Sequence, residues 1–529
     1  MGFIRKLLLA SAALTGVTTP ANADSLGQAI ADAYRNNPQL ESQRAQLRAL
    51  DETVIQAASP YRLNASVVTT MVYQEQDQRN VFDSFATLRE RQSGISLTAR
   101  QILLNGGRTA AQVSAAEAGI LSGRERLREV ENFILLEVVD SYVSVRRDIA
   151  LVAIQQQAVD SYQRQVRQAQ ARERGGDLTR TDIAQAEAQL QIIRSQLVQA
   201  QAALQNSRAR FAAVVGRNAD MLDPEPALPG LPVSLDAAYQ VAEQESPTLW
   251  QAILNERAGR DRIAAERAER NPVFAIEGSY GYNAPSFQTR DLGQGILGRA
   301  TLTIPILTAG VVDSRVRAAI ASQQALQFQI EVTRRAVDVA LQNAWNQSIS
   351  ARDQEVAGER AVTAAQQALE GVRRGFAEGF RSNFEVLDSE QRLLNAQLIL
   401  ANARYLRYAS QANLLAYLGR LEAAAVDEAV AIYDKAVNLR QTQAQQFDPF
   451  QPIVQPLDKL SRSSDRGREA VKLEPATGAT VRPANVPPPS GDLSTTLPVN
   501  PGGRPIPIGR DVTPPSGTLK GGTPRDPAN

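Results

Sequence analysis

The sequence predicts a chain of mixed α and β class, in which very long helices are joined to pairs of short strands. Three observations predict this class: a tandem duplication, long uninterrupted helical stretches and segments of alternating polarity. The duplication has three matches in the same order: 24–40 returns as 233–249, 95–106 as 300–310, and 172–182 as 373–385. Such self-similarity indicates two structural repeats. We place them at 24–232 and 233–430, joined by a proline-rich linker that ends at Pro232.

The N-terminal segment, residues 1–23, has the pattern of a secretory signal peptide. A basic pair opens the segment, an apolar stretch follows, and residues 21–23 read Ala-Asn-Ala, which is a typical cleavage site. The apolar stretch is shorter than the ~20 residues that a membrane-spanning helix needs, so cleavage is favoured over a membrane anchor. We therefore expect an exported protein whose mature chain begins at Asp24.

Both repeats are expected to contain the same elements in the same order. A helix of about 35 residues is followed by two strands, a very long helix, a glycine-containing break and a last helix. The very long helices are predicted over Thr109–Arg172 and Val311–Arg374, which contain no proline. At 1.5 Å per residue, a helix of about 60 residues spans ~90 Å, far more than a globular domain.

The helix after the first break carries a heptad pattern. Apolar residues recur every seven positions, at Ile183, Leu190, Leu197, Leu204 and Phe211. This spacing indicates helices that pack against each other as a coiled coil. An ordinary coiled-coil dimer would show the same seam, but it would not need the predicted strands.

The strand candidates alternate between apolar and polar side chains. This pattern covers 62–73 and 95–100 in the first repeat, and 274–282 and 299–304 in the second. Period-two alternation fits either a half-buried strand of a soluble sheet or a strand of a membrane barrel, and the pattern leaves both open. Four strands cannot close a barrel within one chain, so a barrel would need several subunits.

The composition argues against catalysis. The chain has no cysteine and no histidine, which excludes thiol chemistry, Cys/His zinc sites and histidine general bases. Its net charge of +1 gives no indication of a nucleic-acid partner. The dinucleotide-like pattern Gly293–Gly298 is interpreted as a flexible loop, because a strand follows it where a cofactor site would need a helix. We expect neither a catalytic site nor a cofactor.

The C-terminal extension, residues 431–529, differs from the rest of the chain. From about residue 443 it holds more than half of the 27 prolines, together with many glycines, serines and threonines. A segment of this composition cannot bury a core. We therefore expect the extension to be mostly disordered from about residue 443.

A polar cluster surrounds the break between the long helices of the second repeat. Glu385 and Asp388 stand three positions apart, which places both carboxylates on one side of a helix. Spacing alone favours an ordinary helix start, because Ser382 and Glu385 can form a capping box. In the first repeat, Asp182 lies where a helix dipole favours an acid. A functional role for these acids stays open on spacing alone.

The whole pattern resembles the TolC family of outer-membrane efflux proteins, and most closely its type I secretion branch. The resemblance covers about 24–430 and rests on the order of several weak motifs. These are the paired Asn37-Pro38 and Ser246-Pro247, the strand-to-helix junctions Leu104–Gly107 and Leu302–Leu307, and the segment Gly379–Ala396. The family implies a trimer in which each chain gives four strands to a twelve-stranded outer-membrane β-barrel. The β-barrel is continued into the periplasm by a long barrel of helices packed as an antiparallel coiled coil.

The resemblance also implies a function. The chain would be the outer-membrane channel of a tripartite export machine, forming a passive duct from periplasm to exterior for type I protein secretion. Its partners would be two further copies of itself, an inner-membrane transporter of ABC type, a periplasmic adaptor protein and outer-membrane lipid. A duct for multidrug or small-molecule efflux is the alternative within the family. The alternative from another class is a soluble periplasmic coiled-coil adaptor.

Residue by residue, the resemblance implies three sets of functional positions. Glu385 and Asp388 match an acidic constriction, where three copies would place their carboxylates around one pore and bind a cation. The positions that match polar links holding the entrance closed are Thr181, Asp182, Arg381 and Phe376. At the last of these the family often has tyrosine, and phenylalanine cannot donate the hydrogen bond. The positions that match the adaptor-contacting tips are Gly175, Gly176, Asp177, Leu178, Gly379 and Phe380.

Overall fold

The computed structural model describes residues 24–79, 85–219, 221–287, 290, 292–423, 432–444 and 451–461. The expected signal peptide and residues 462–529 lie outside the described residues. The helices are α1 Leu26–Asn36, α2 Pro38–Ala58, α3 Arg108–Arg174, α4 Arg180–Val215, α5 Leu235–Glu245, α6 Pro247–Arg267, α7 Val311–Ala377, α8 Asn383–Leu418, α9 Val437–Ala444 and α10 Gln451–Ser461. The strands are β1 Asn64–Arg79, β2 Phe85–Asn105, β3 Val273–Ala284 and β4 Gly293–Thr303.

The opening helix of each repeat is two helices rather than the single one expected. In the first repeat Asn37 ends α1, and its side chain accepts hydrogen bonds from the amides of Gln39 (2.9 Å) and Leu40 (3.4 Å) at the start of α2. Pro38 then occupies the first helical position, where its missing N–H costs nothing. Ser246 and Pro247 divide α5 from α6 at the matching position, with Pro247 again first in the helix but without a side-chain cap from Ser246. The proline that marks the duplication therefore also breaks the helix.

The two longest helices, α3 and α7, have 67 residues each and so span ~100 Å. The predicted heptad seam of α4 faces the protein: Leu190, Leu204 and Phe211 are buried. Near the α4 end Tyr142 of α3 packs beside Phe211, with ring centroids 6.4 Å apart. Burial raises the pKa of Tyr142 to about 12, so its hydroxyl stays protonated. This core joins the short helices of both repeats to the long ones.

The four strands form one antiparallel sheet in the order β1-β2-β3-β4. The interpretation of Gly293–Gly298 as a loop is wrong, because these residues form the first half of β4 and pair with β3 in regular register. Close approach requires glycine at another position of the sheet, since a Cβ on Gly281 of β3 would lie 2.4 Å from the Ile95 carbonyl oxygen, whereas a Cβ on Gly295 or Gly298 would meet open space. The glycine pattern is therefore a strand feature and not a phosphate-binding turn.

The sheet has two chemically different faces. Because side chains alternate along each strand and the register is known, each residue can be assigned to a face. The apolar face carries Ala65, Val67, Met71, Ile95, Leu97, Ile276, Tyr280, Tyr282, Ile296 and Leu302. The polar face carries Asn64, Ser66, Thr70, Ser96, Thr98, Arg100, Glu277, Ser279, Arg299 and Thr301. Many of the apolar side chains are exposed in the single chain.

The C-terminal extension is ordered further than its composition predicts. Disorder from about residue 443 is wrong for Gln451–Ser461, which is the helix α10. The carboxylate of Asp458 is fully buried and accepts hydrogen bonds from the amides of Asn105 (2.8 Å) and Gly107 (3.1 Å) and from the Tyr61 hydroxyl (3.0 Å). Gly107 is the N-cap of α3 and has no side chain to cap the helix. Asp458 therefore supplies the missing cap from a distant part of the chain.

Removing this remote cap is expected to loosen the junction between β2 and α3. In Asp458→Ala the two amides lose a charged acceptor, which costs about 2 kcal/mol. Amide hydrogen exchange at Asn105 and Gly107 should then become about 30-fold faster. Asp434→Ala, which removes an exposed acid of the same extension, is the control and should leave both amides protected. Equal exchange in wild type and Asp458→Ala would contradict the assignment of Asp458 as a cap.

Candidate functional site

The candidate site lies where each long helix turns into the next one. The first tip (Gly175–Thr179) joins α3 to α4, and the second tip (Glu378–Ser382) joins α7 to α8. Each tip turns at a glycine with positive φ, which is 84° at Gly176 and 86° at Gly379. Only glycine adopts this backbone conformation without strain. The glycine breaks seen in the sequence are therefore the turning points of two helical hairpins.

The acid of the first tip is held within its own hairpin. Asp182 accepts hydrogen bonds from the hydroxyl (2.7 Å) and the amide (3.0 Å) of Thr179, the N-cap of α4. The hydroxyl contact is the largest cause that lowers the pKa of Asp182 below its ordinary value, followed by the amide contact. Thr181 next to it is exposed. In the single chain, Asp182 therefore stays ionised and caps a helix.

Both acids of the predicted constriction have an arginine neighbour. Glu385 accepts from the Ser382 amide (2.8 Å) and from Arg381 (2.7 Å). The Ser382 amide, then Arg381, lowers the pKa of the Glu385 carboxyl below its ordinary value. One turn later Asp388 accepts from Arg392 at 2.9 Å. The capping box expected from spacing is present, and both half-exposed carboxylates lie on the start of α8.

The predicted entrance links are only partly brought together. Among the described residues, no ion pair or hydrogen bond joins Asp182 to Arg381. Phe376 does join two helices, although it has no hydroxyl. The Arg172 guanidinium of α3 lies 4.4 Å from the Phe376 ring centroid and donates to its carbonyl oxygen at 3.4 Å. A cation–π contact thus joins the two helices at a position where phenylalanine cannot donate a hydrogen bond.

The residues predicted to contact an adaptor lie at the tips. Gly175, Gly176, Asp177 and Gly379 are exposed, whereas Leu178 is half-buried. Phe380 is 82% exposed, and Phe384 beside it on α8 is also exposed. Two exposed aromatic rings at one turn form an apolar surface that a partner can cover.

Sequence reasoning missed a buried link between three helices, which we call the Glu390 network. The Glu390 side chain of α8 is 4% exposed. One of its oxygens accepts from Arg373 of α7 (2.7 Å), Gln165 of α3 (3.0 Å) and Ser161 of α3 (3.1 Å). The signal in the sequence was a charged residue at the apolar spacing of Val386, Leu387 and Leu394, the side of α8 that faces its neighbours.

A second set of contacts strengthens the same level of the hairpins. The Tyr162 hydroxyl of α3 donates to the Leu387 carbonyl oxygen of α8 at 3.2 Å. Burial, and next the charge of Glu390, raises the pKa of Tyr162 above its ordinary value. Gln189 of α4 donates to Gln391 of α8 at 2.8 Å. Together these bonds join α3, α4 and α8 above the tips.

The chemistry of the described residues is that of charged helix ends and polar links. Within the described ranges, no group of three or more acidic, histidine or cysteine side chains is placed to hold a metal ion. None of the helices in the described part of the chain is both long and apolar enough to cross a membrane.

The fold consists of two repeats of long helical hairpins attached to a sheet with one apolar face. The family model described as "Outer membrane efflux protein" matches residues 29–217 and 238–420, which is more than half of the chain. The chain belongs to this family. It is therefore a protein of the outer membrane with a long periplasmic helical extension. The family consists of channels rather than enzymes, which work in tripartite efflux or secretion systems with inner-membrane and adaptor proteins.

Named relatives cover most of the chain. The outer membrane efflux protein BepC of Brucella suis is 29% identical over 429 residues, covering 81% of this chain and 92% of BepC. The outer membrane protein TolC of Escherichia coli is 25% identical, covering 79% of this chain and 87% of TolC. The alkaline protease secretion protein AprF of Pseudomonas aeruginosa is 23% identical, covering 58% of this chain and 66% of AprF. The predicted family is confirmed.

Solved structures confirm the predicted fold class. The transmembrane channel CusC has a TM-score of 0.65 at 20% identity and covers 74% of this chain and 91% of its own. The CmeC outer membrane channel of Campylobacter jejuni has a TM-score of 0.67 at 14% identity and covers 80% of this chain and 90% of its own. This chain has their mostly helical fold, with one four-stranded antiparallel sheet per chain.

Proposed function

We propose that three copies of this chain form a passive duct from the periplasm to the exterior, used for type I protein secretion. The observation that carries the proposal is the sheet, which has an apolar face and ends at β1 and β4 on its two edges. An exposed edge needs a partner strand, and a closed barrel provides one. Four strands are too few to close alone. With β4 of one copy beside β1 of the next, three copies close a twelve-stranded barrel.

The polar face of the sheet then lines the duct, and the apolar face meets lipid. Tyr73, Tyr280 and Tyr282 lie on the apolar face, towards the strand ends remote from the long helices. Aromatic side chains are typical of membrane boundaries. The helical hairpins continue the duct into the periplasm, where their tips meet a periplasmic adaptor and an inner-membrane transporter of ABC type. That transporter supplies the energy.

Secretion and drug efflux call for different cargo in the same duct. The names of AprF and of the Dickeya chrysanthemi relative PrtF, which is 24% identical, indicate secretion of proteases. The name of BepC indicates efflux. We favour secretion because the overall sequence looks closest to family members that serve type I protein secretion, and AprF and PrtF carry names of that kind. A small-molecule efflux duct is the second candidate.

Deletion of the gene separates these two functions. If the duct serves secretion, the deletion strain should lose one or more proteins from its culture supernatant and retain fluorescent dyes no more than wild type does. The wild-type gene on a plasmid should restore the secreted proteins. Increased dye retention with an unchanged supernatant would contradict secretion and support efflux. A soluble product in the periplasmic fraction would instead support the adaptor class.

We further propose that Glu385 and Asp388 form an acidic ring in the trimer, close to the narrow end of the duct. Rings of carboxylates bind and select cations. The paired arginines reduce the net charge of the ring, but both carboxylates remain half-exposed towards solvent. Divalent cations added on the helical side should therefore block the conductance of the wild-type channel.

Neutralising both acids is expected to remove this block. In Glu385→Gln/Asp388→Asn, the divalent concentration for half-maximal block should rise at least about tenfold, since six negative charges are lost per trimer. The measurement is single-channel current in planar bilayers. The control, Glu378→Gln, changes an exposed acid at the same tip and should leave the block unchanged. An unchanged block in the double variant would contradict the ring while leaving the duct intact.

A further inference from the structure

The sheet carries a row of charges that the sequence did not reveal. Arg100 of β2 lies directly opposite Glu277 of β3, and Glu277 lies opposite Arg299 of β4. Neighbouring strands are about 4.8 Å apart, so the three side chains stand next to one another across the sheet. Asn64, the first residue of β1, pairs with Arg100 and completes the row.

Within the described parts of the strands, the row is isolated from other charges on the polar face. Among the described strand residues of the polar face, Glu90 is the only other charged one. It lies ten positions away along β2, about 33 Å at the rise of an extended strand. The next row consists of Ser66, Thr98, Ser279 and Leu297. Two arginines and one glutamate therefore leave one positive charge per chain at this level.

The position of the row along the duct follows from the strand ends. Asn64 begins β1 just after α2, and Arg299 lies four residues before the end of β4, which leads to α7. The row is thus at the end of the sheet nearest the helices. The opposite face carries Ala65, Ala99, Gly278 and Ala300 near this level. Those small apolar residues suit lipid, whereas arginines are costly there, so the charged row faces the lumen.

We propose that the three copies of this row form an arginine ring at the base of the barrel, which binds anionic groups of molecules in the duct. The inference rests on the trimeric duct proposed above. The ring holds six arginines and three glutamates, a net charge of +3 in a water-filled lumen with low-dielectric walls, where charges act strongly on passing ions. Its ligands are multivalent organic anions and clustered carboxylates of a cargo chain.

The glutamate of each copy reduces the positive charge of the ring. Glu277 is paired in register with Arg100 on one side and with Arg299 on the other, so its negative charge lies next to both arginines. It also offsets half of their charge. Neutralising Glu277 should therefore strengthen anion binding, whereas neutralising the arginines should weaken it. Opposite effects from adjacent residues exclude a general loss of folding as the explanation.

The probe is inositol hexakisphosphate added to the barrel side of single channels in a planar bilayer. The long helical section cannot cross the bilayer, so the protein inserts with its barrel first. The barrel then opens into the chamber opposite to the one where the protein was added. In Arg100→Gln/Arg299→Gln the concentration for half-maximal block should rise at least about tenfold. In Glu277→Gln it should fall several-fold. The control Arg91→Gln changes an arginine of the same strand on the opposite face and should not alter the block.

The outcomes separate this inference from the proposed function. If wild-type channels conduct and inositol hexakisphosphate blocks them at the same concentration as the double arginine variant, the arginine ring is overturned and the duct is not affected. An equal effect of Arg91→Gln would also overturn it, because the assignment of the faces would be wrong. If the wild-type protein forms no channel at all, the proposed duct fails and the ring fails with it.

Discussion

Replacing Leu97 with arginine is expected to stop the protein from assembling in the outer membrane. Leu97 is 49% exposed in the single chain and lies on the apolar face between Val67 and Tyr280. Arginine on the lipid side of a membrane barrel costs ~2–4 kcal/mol near the midplane. Three copies carry this cost three times. We therefore expect the variant to disappear from the outer-membrane fraction of cells and from the trimer band of unheated gels.

The neighbouring residue provides a matched control. Ser96 is one position away and therefore on the polar face, which the proposal places towards the lumen. Ser96→Arg adds the same charge at the same depth, but in contact with water. It should assemble as wild type does and change only the conductance. If both variants assemble equally well, or if Ser96→Arg alone fails, the assignment of lipid and lumen faces is wrong.

The second large effect is expected from Glu390→Ala. The buried carboxylate accepts three hydrogen bonds from two other helices, and its removal leaves Arg373 and Gln165 without their shared acceptor. Hydrogen bonds to charged groups are worth about 1.5–3 kcal/mol each. Arg373 is 47% exposed, however, and solvent replaces part of its loss. We expect the hairpins to be held together less firmly, by about 2–3 kcal/mol.

Two measurements test the Glu390 network. Amide exchange in the first turns of α8, around Val386 and Leu387, should become at least about 30-fold faster, because 1.4 kcal/mol corresponds to a factor of ten. Single channels should spend more time in a larger conductance state, since α3, α7 and α8 separate more easily. Glu390→Gln keeps an acceptor oxygen and should show a smaller effect.

An exposed acid near the same tip is the control for this variant. Glu378 follows α7 directly and is exposed to solvent. Glu378→Ala should therefore leave both the exchange and the conductance unchanged. If amide exchange in Glu390→Ala is as slow as in wild type, the network does not hold the hairpins together. If exchange is faster than in wild type by the same factor in both variants, the effect is not specific to Glu390.

The fold was predictable because its signals are local and repeated. Long helices without proline, a heptad seam and period-two strands each follow from backbone geometry. Asn37-Pro38 shows the limit of this reasoning. The sequence suggested one helix across that motif, although a proline after a capping asparagine begins a new helix. The motif therefore marks the repeat and also begins a new helix within it.

The errors arose where distant parts of the chain meet. The pattern Gly293–Gly298 favours a loop in the sequence because a strand follows it where a cofactor site would need a helix, whereas its pairing with β3 depends on residues far away in the sequence. Helix α10 was missed because its stability comes from the first repeat: Asp458 caps α3, and Val454 packs beside Ala58 and Tyr61. Composition describes a segment by itself and gives no information on such contacts.

The sequence predicted where the candidate site lies, but not the hydrogen bonds that join its helices. The glycine breaks located both tips, and the spacing of Ser382 and Glu385 predicted the capping box. The arginine that pairs with Asp388 was also visible four residues later, at Arg392. The Glu390 network was harder to find, since it needs the relative rotation of three helices. The roles of the acids and of the tip residues remain proposals.

The most direct test of the duct is single-channel recording of the detergent-purified wild-type protein in planar bilayers. We expect insertion as a trimer, with discrete steps of small, long-lived conductance and block by divalent cations from the helical side only. We also expect the protein to need detergent, because the apolar face of its sheet is otherwise exposed. Protein that stays soluble without detergent and forms no channel would contradict the duct and support a periplasmic coiled-coil adaptor.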